Sequence, residues 1–383
     1  MRAAKIIDLF AGPGGLDVAA QKLGIPVTGI EWDPDACHTR REAERLSPKG
    51  AAELRTIEGD VREYGPKDFP EATVLAGGPP CQTYTVAGGG EGRRALNDVL
   101  RFAERMADGE DVTEQLAALD DVRTGLVLEP LRWALAAHDA GQPYDAIVLE
   151  QVPAVLPVWK AVGRLLRGLD YEVDHGVLRT EQFGVPQTRR RAILIARRNR
   201  EVELPRPIHR HYRKGVSQDQ GDKALEPWVS MGEVLDRPTP YDVISNYGTG
   251  GDPKDRGRRR STEPAATVTG KISRNRVLMP LGQEDRFTFA EAGRLQTFPA
   301  DYPWSGRAVP QQIGNAVPPL LAVHVLATAL DLGDDVVARA IASLMGPGAR
   351  TRNGVAAVPG RRAPLQLALE RGRISDVREA ARL

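Results

Sequence analysis

Up to about residue 198 the chain alternates two kinds of apolar pattern. The first is the short unbroken run: AKIIDLF at 4–10, VTGIEWD at 27–33, TVLAGGPP at 73–80, YDAIVLEQV at 144–152 and RAILIARR at 191–198. Runs this short with little polar interruption predict buried strands. The second is apolar residues at helical spacing, as in LDVAAQKL, which stops at Gly24, and DACHTRREAERL. GDVREY at 59–64 marks a further strand end. The alternation predicts an α/β fold with a doubly wound, mostly parallel, Rossmann-like sheet. Such sheets bind ligands beyond the carboxyl ends of their strands. Asp8 to Gly15, Glu31, Asp60, Gly77 to Gln82 and Glu150 all fall there.

Beyond 198 the pattern loosens. Residues 199–286 are rich in Pro, Gly, Arg and Asp, with short β-like pieces (YDVISNYG, ATVTGKI). They predict a smaller, irregular second domain. A helical pattern returns at 287 with FTFAEAGRLQTF, and QQIGNAVPPLLAVHVLATAL predicts a strong helix after a loop. The tail predicts two helices around GPGARTRNGVAAVPGRR. The expected layout is a catalytic body at 1–198, an inserted domain at 199–286, a return to the body at 287–332 and an extension at 333–383.

Composition narrows the function classes. The chain has 383 residues, 41% hydrophobic and 27% charged, which suits an ordinary globular protein. No apolar run approaches the ~20 residues of a membrane span, and MRAAKIIDLF lacks a secretory signal's apolar stretch. No membrane partner is expected. Two cysteines, Cys37 and Cys81, cannot build a disulfide scaffold or a four-cysteine metal site, so a reducing cytoplasm and no metal are expected. A net charge of +1 argues against a protein that coats nucleic acid, but the total hides local charge. Residues 187–214 hold ten Lys/Arg against two acids, and 254–276 hold eight against two. A charge run is ordinarily just a solvated face; two runs bracketing one irregular domain suit a polyanion better. Of the 52 basic residues 43 are Arg, which codon bias explains and bidentate phosphate contact would use.

The strand-end residues carry the chemistry. In DLFAGPGG, Gly12, Gly14 and Gly15 allow close approach of backbone to ligand and an abrupt helix start. A nicotinamide fingerprint needs glycine at 17, where this chain has Asp17, so a dehydrogenase is disfavoured. Glu31 can hold ribose hydroxyls, Trp32 can stack on adenine, and Asp60 can accept from an adenine amine. Each alone reads equally as a cap or turn residue; in order on successive strands they read as an adenosine-bearing cofactor site. A lone cysteine is usually a small buried hydrophobe, which suits Cys37. Cys81, after two prolines at a strand end, is a positioned thiol. Glu150 in LEQVP reads alone as a surface or helix-capping acid; beside the same crevice as Cys81 it is also a candidate proton donor. Arg189 and Arg191 in QTRRR alternate, so on a strand they would share a face.

DLFAGPGG, GIEWD, GDV, GGPPCQ, LEQVP, FGVPQTRRR, the pattern FTxxEAxxLQxFP at 287–299 and QQIGNAVPP at 311–319 come in this order. With them the chain resembles the cytosine-C5 DNA methyltransferases along almost its whole length. The resemblance implies S-adenosyl-L-methionine as methyl donor, lined by Phe10, Gly12, Gly14 and Gly15. Glu31 and Trp32 would hold its ribose and adenine, Asp60 its amine, and Asn315 and Val317 would close its methionine end. It implies Cys81 as the nucleophile at cytosine C6, Glu150 at N3, and Arg189 and Arg191 as supports of the adduct, with the base flipped out of the duplex. Residues 199–286 would be the target-recognition domain. The partners implied are double-stranded DNA and, functionally, a cognate restriction endonuclease; a monomer is expected. The chain departs from the family in Gln151 where Asn is usual, in Tyr84-Thr85 where Phe-Ser is usual, and in an acidic insertion near 105–125. A tRNA methyltransferase and an inactive DNA-binding homologue are the alternatives. The basic inserted segment speaks against the first, and the intact Cys81, Glu150, Arg189 and Arg191 against the second.

Overall fold

The computed structural model describes residues 3–80, 84, 94–245 and 257–345. Its larger sheet is built from β1 (Ile6–Leu9), β2 (Val27–Glu31), β3 (Leu54–Glu58), β4 (Val74–Gly77), β5 (Ala146–Gln151), β6 (Tyr171–Arg179) and β7 (Arg190–Arg198). The order across the sheet is β3-β2-β1-β4-β5-β7-β6. The first five strands pair in parallel, with Ile6 opposite both Val27 and Val74. β7 runs antiparallel to β5 and β6. β6 turns back into β7 through a loop rather than a crossover helix, which reverses the strand direction at this edge.

Helices α1 (Gly15–Lys22) and α2 (Pro34–Arg45) connect the first strands. Asp33 starts α2 by accepting hydrogen bonds from the N–H groups of Asp35 and Ala36. α3 (Leu96–Ala107), α4 (Thr113–Ala117) and α5 (Glu129–Asp139) lie between β4 and β5, and α6 (Leu156–Arg167) precedes β6. The acidic stretch expected near 105–125 forms the end of α3, α4 and a 3-10 segment, Val122–Leu128. Ile7, Leu9, Leu75, Leu149 and Leu194 from the sheet pack with Trp133 and Trp159 from the helices in one core.

After the short helix α7 (Met231–Val234), a smaller antiparallel sheet joins β8 (Asp242–Ile244), β9 (Arg258–Arg260), β10 (Arg276–Leu278) and β11 (Glu284–Asp285) in the order β11-β10-β8-β9. Val243 and Val277 from it share a core with Leu295 of α8 (Phe289–Leu295) and Ile313 of α9 (Val309–Asn315). Two local expectations change. ATVTGKI is not a strand: the Val268 N–H goes to the Gln187 side chain, and the chain turns at Thr269 into a short 3-10 segment. The helix expected through QQIGNAVPPLLAVHVLATAL is two, α9 and α10 (Pro319–Leu330), because Pro318 and Pro319 interrupt it. Val309–Leu330 also passes the length and hydropathy of a membrane span, but 78% of that window is buried inside the fold. It lies against α1 and the sheet as a core element. Of the tail, α11 (Asp334–Met345) is described, and 346–383 lies outside the described residues.

Candidate active site

The loop leaving β1 is shaped by positive φ angles at Phe10 (62°), Gly12 (55°) and Gly14 (97°). Gly14 is the residue before α1, and no side chain caps that helix, so its first N–H groups stay available to a ligand. Gly15 has a packing reason: a Cβ there would overlap the Val317 carbonyl oxygen. The segment after α9 thus closes directly on the loop. Glu31 ties the loop to the end of β2. Its Oε2 accepts from the Gly12 N–H at 2.7 Å, and its Oε1 from Trp32 and Asp33 at 2.9 and 2.8 Å. Burial raises its pKa and these N–H donors oppose the rise. Asp60 begins the turn after β3, accepting from the Arg62 N–H and pairing with its guanidinium at 2.5 Å. That pairing lowers its pKa.

Beneath the loop, Asp17 makes a buried two-pronged ion pair with Arg40, at 2.7 and 2.8 Å. The residue that breaks the nicotinamide fingerprint therefore pins α1 to α2. Asp8 lies beside this pair, its pKa held well above the carboxylate norm by burial and then by the Asp17 charge.

These elements surround a cavity of about 400 Å³ at the carboxyl edge of the sheet. Phe10, Gly12, Gly15, Glu31, Trp32 and Asp60 line one part of it. Asn315 and Val317 line another, the Asn315 Oδ1 accepting from Gln311 at 2.9 Å. The Trp32 ring is 68% exposed at the rim. Gly14 does not line the cavity; it turns the chain under the Tyr302 hydroxyl. Glu150 and Arg191 also face the cavity, Arg191 Nε lying 2.5 Å from Glu150 Oε1. Pro79 and Pro80 form the wall that leads to Cys81, which is outside the described residues. Gln151 reaches back from β5 to donate to the Pro79 carbonyl. The longer amide at this position thus braces the turn before Cys81. Cys37 is a buried thiol that donates to the Glu31 carbonyl, pushed up to about 12, mainly by burial.

Arg189 is not among the cavity-lining residues. It precedes β7, is 1% exposed, and donates to the carbonyls of Val268 (2.8 Å), Gly314 (2.8 Å) and Ala316 (3.2 Å). Two further buried amides complete this junction. Gln187 donates to the Leu295 carbonyl and to Gln296 Oε1 and accepts from the Val268 N–H. Gln296 donates to the carbonyls of Ile313 and Ala316. The chain before β7, the segment at 268 and the segment closing the cavity are thereby held as one. Val122 and Leu126, from the 3-10 segment Val122–Leu128, also line the cavity. Nothing in the motifs marked them beyond being apolar residues after an acidic run. Gln187 and Gln296 sit inside quoted motifs; their signal is polarity in an apolar neighbourhood.

The model of the C-5 cytosine-specific DNA methylase family matches residues 4–103 and 145–227. Among relatives, the Type II methyltransferase M1.HphI of Haemophilus parahaemolyticus is 26% identical over 356 residues, 85% of this chain and 86% of its own length. The Type II methyltransferase M.Eco47II of Escherichia coli is 26% identical over 365 residues, 86% of this chain and 80% of its own. In fold, the chain is similar to the S. pombe Dnmt2 methyltransferase, with TM-score 0.57, 17% identity, and 86% and 98% of the two chains covered. The Entamoeba histolytica methyltransferase EhMeth superposes with TM-score 0.54, 14% identity, and 86% and 99% coverage. These matches and the ordered motifs around one cavity support a cytosine-C5 DNA methyltransferase family for this chain.

Proposed function

We propose that this protein is a DNA (cytosine-5-)-methyltransferase that moves the methyl group of S-adenosyl-L-methionine to C5 of a cytosine flipped from duplex DNA. The observation that carries this reading is the Glu150–Arg191 pair, facing the same cavity as the Gly12–Glu31 loop. A cavity of about 400 Å³ is on the scale of small-ligand sites. Its residues suit the cofactor. Glu31 keeps acceptor capacity for ribose hydroxyls, Trp32 offers a ring face, and Asp60 offers a carboxylate. Asn315 and Val317 line the cavity where the segment after α9 closes on Gly15. When bound, S-adenosyl-L-methionine supplies an electrophilic sulfonium methyl.

The protein's task is to make C5 nucleophilic. The Cys81 thiolate adds to C6, and the displaced π electrons make C5 an enamine carbon. Glu150 steadies N3 by hydrogen bond or proton, and Arg191 holds the Glu150 carboxyl in place and supports the ring. After methyl transfer, loss of the C5 proton and departure of Cys81 restore the aromatic ring. Arg189 serves at one remove, fixing the segment that carries Asn315 and Val317. The likeness to Type II methyltransferases extends the proposal to a partnership with a cognate restriction endonuclease.

The test is to incubate the protein with S-adenosyl-L-methionine and duplexes containing 5-fluorocytosine in many sequence contexts. A covalent adduct, lost in Cys81→Ser, is expected. No adduct and no methylation in any context overturns the reading. Methylation of tRNA in place of duplex DNA, assayed in parallel, redirects the substrate to RNA.

A further inference from the structure

β6 ends and β7 begins at the edge of the large sheet where Glu150 and Gln151 end β5, because β7 runs antiparallel to both neighbours. At that edge Arg179 stands opposite Arg190. Like charges facing across a strand pair are unfavourable. Among the described residues neither guanidinium has a hydrogen bond or an ion pair. A third cation comes from β9. The Arg259 guanidinium sits 4.4 Å from the centre of the Tyr212 ring and reaches Thr188 Oγ1 at 3.4 Å. Its Nη1 is buried without a hydrogen-bond partner among the described residues.

Only one buried carboxylate, Glu181, underlies these three guanidinium groups among the described residues. Its side chain is 2% exposed, and its Oε2 has no hydrogen-bond partner among the described residues. His211 Nε2 lies 3.6 Å from its Oε1. The nearby Glu263 is committed elsewhere, accepting from the Tyr212 hydroxyl and the Arg260 N–H.

We propose that Arg179, Arg190 and Arg259 form a phosphodiester-binding site on the DNA path beside the cavity, with Glu181 as the counter-charge the phosphate displaces. The proposal rests on the methyltransferase reading and deepens it by naming where the DNA backbone is gripped. Arg259 comes from the small sheet and reaches Thr188, two residues before Arg190, so the site joins the body to the inserted segment proposed to read DNA. A phosphate arriving there relieves the repulsion between Arg179 and Arg190. It also withdraws the support those cations give to ionised Glu181. Burial already pushes Glu181 up to about 6, against the pull of Arg179, Arg259 and Arg190. DNA binding therefore takes up a proton at Glu181, and affinity rises as pH falls from 8 to 6. Burial and the Arg179 and Arg213 charges hold His211 below the usual imidazole range, so it adds little charge over this span.

The experiment measures binding of a mixed-sequence duplex to the full chain by fluorescence anisotropy across salt and pH. Binding of S-adenosylhomocysteine by calorimetry checks that each variant is folded. Arg179→Gln and Arg190→Gln should each weaken DNA binding for every sequence and lower the salt slope by about 1, with S-adenosylhomocysteine affinity unchanged. Glu181→Gln should bind DNA more tightly than wild type at pH 8 and flatten the pH dependence. If wild type binds duplex and both arginine variants keep its affinity and salt slope, the site is overturned. If Glu181→Gln keeps the wild-type pH dependence, the counter-charge role is overturned. A wild-type protein that binds neither S-adenosylhomocysteine nor duplex would instead overturn the methyltransferase reading.

Discussion

Arg191 Nε and Glu150 Oε1 lie 2.5 Å apart, and each side chain is only 11% exposed. The pair belongs to adjacent antiparallel strands, with Glu150 registered opposite Ile193, so strand pairing fixes the approach. Removing one member leaves a nearly buried charge alone, which costs about 3–5 kcal/mol. Glu150→Gln keeps the shape and loses the acid. Methyl transfer should then fall by about 10²–10⁴-fold while S-adenosylhomocysteine affinity holds. Single-turnover kinetics and calorimetry check this, and an unchanged rate would remove Glu150 from the chemistry.

Gly15→Ala should act on the cofactor end. Its methyl group has no room beside the Val317 carbonyl, so the loop or the segment after α9 must move. Overpacking of this kind costs about 1–3 kcal/mol. Weaker S-adenosylhomocysteine binding with a lower Tm is expected, and the Val317 end of the cavity should shift most.

Arg189→Lys retains charge and loses the fork that spans three carbonyls. S-adenosylhomocysteine and duplex DNA should help each other bind less in this variant than in wild type. Arg189→Lys would retain the wild-type coupling if Arg189 acted only on the reacting base. Measuring each affinity with and without the other ligand separates the two roles.

His324 gives a stability prediction. Burial pushes it down to about 4, with the nearby His209 adding to the effect. A histidine whose folded pKa lies below its unfolded value stabilises fully above about 6.5. That contribution is lost as pH falls from there toward 4, and it amounts to about 3 kcal/mol. His324→Leu should therefore lose less stability than wild type between pH 7 and pH 4.5, read by denaturant unfolding at each pH.

The strands and the β1 loop were legible because their code is local. Ile6–Leu9 and Ala146–Gln151 are short apolar runs with an acid one residue before the end, and DLFAGPGG carries its turn in its own glycines. The polar junction was not legible. Gln187 reaches a carbonyl 108 residues away and Arg189 one 125 residues away, and a backbone carbonyl leaves no residue-type signature. For the same reason ATVTGKI, with its β-branched residues, looked like a strand while its Val268 N–H was committed to Gln187. The break between α9 and α10 was legible in Pro318-Pro319 but was masked by the apolar run after it. Strand pairing sets Arg179 opposite Arg190, a relation that the sequence around neither residue signals.

Gln187, Arg189 and Gln296 grip their neighbours almost wholly through main-chain atoms: the N–H and carbonyl of Val268, and the carbonyls of Leu295, Ile313, Gly314 and Ala316. Main-chain atoms are the same whatever side chain they carry. The socket therefore dictates the path of the segment it holds and, apart from Gly314, where a Cβ would overlap the backbone at 269–270, asks little of its wording. Substitutions in the small sheet can accumulate, and one such segment can be exchanged for another of equal course, without unfastening it from the cavity it serves.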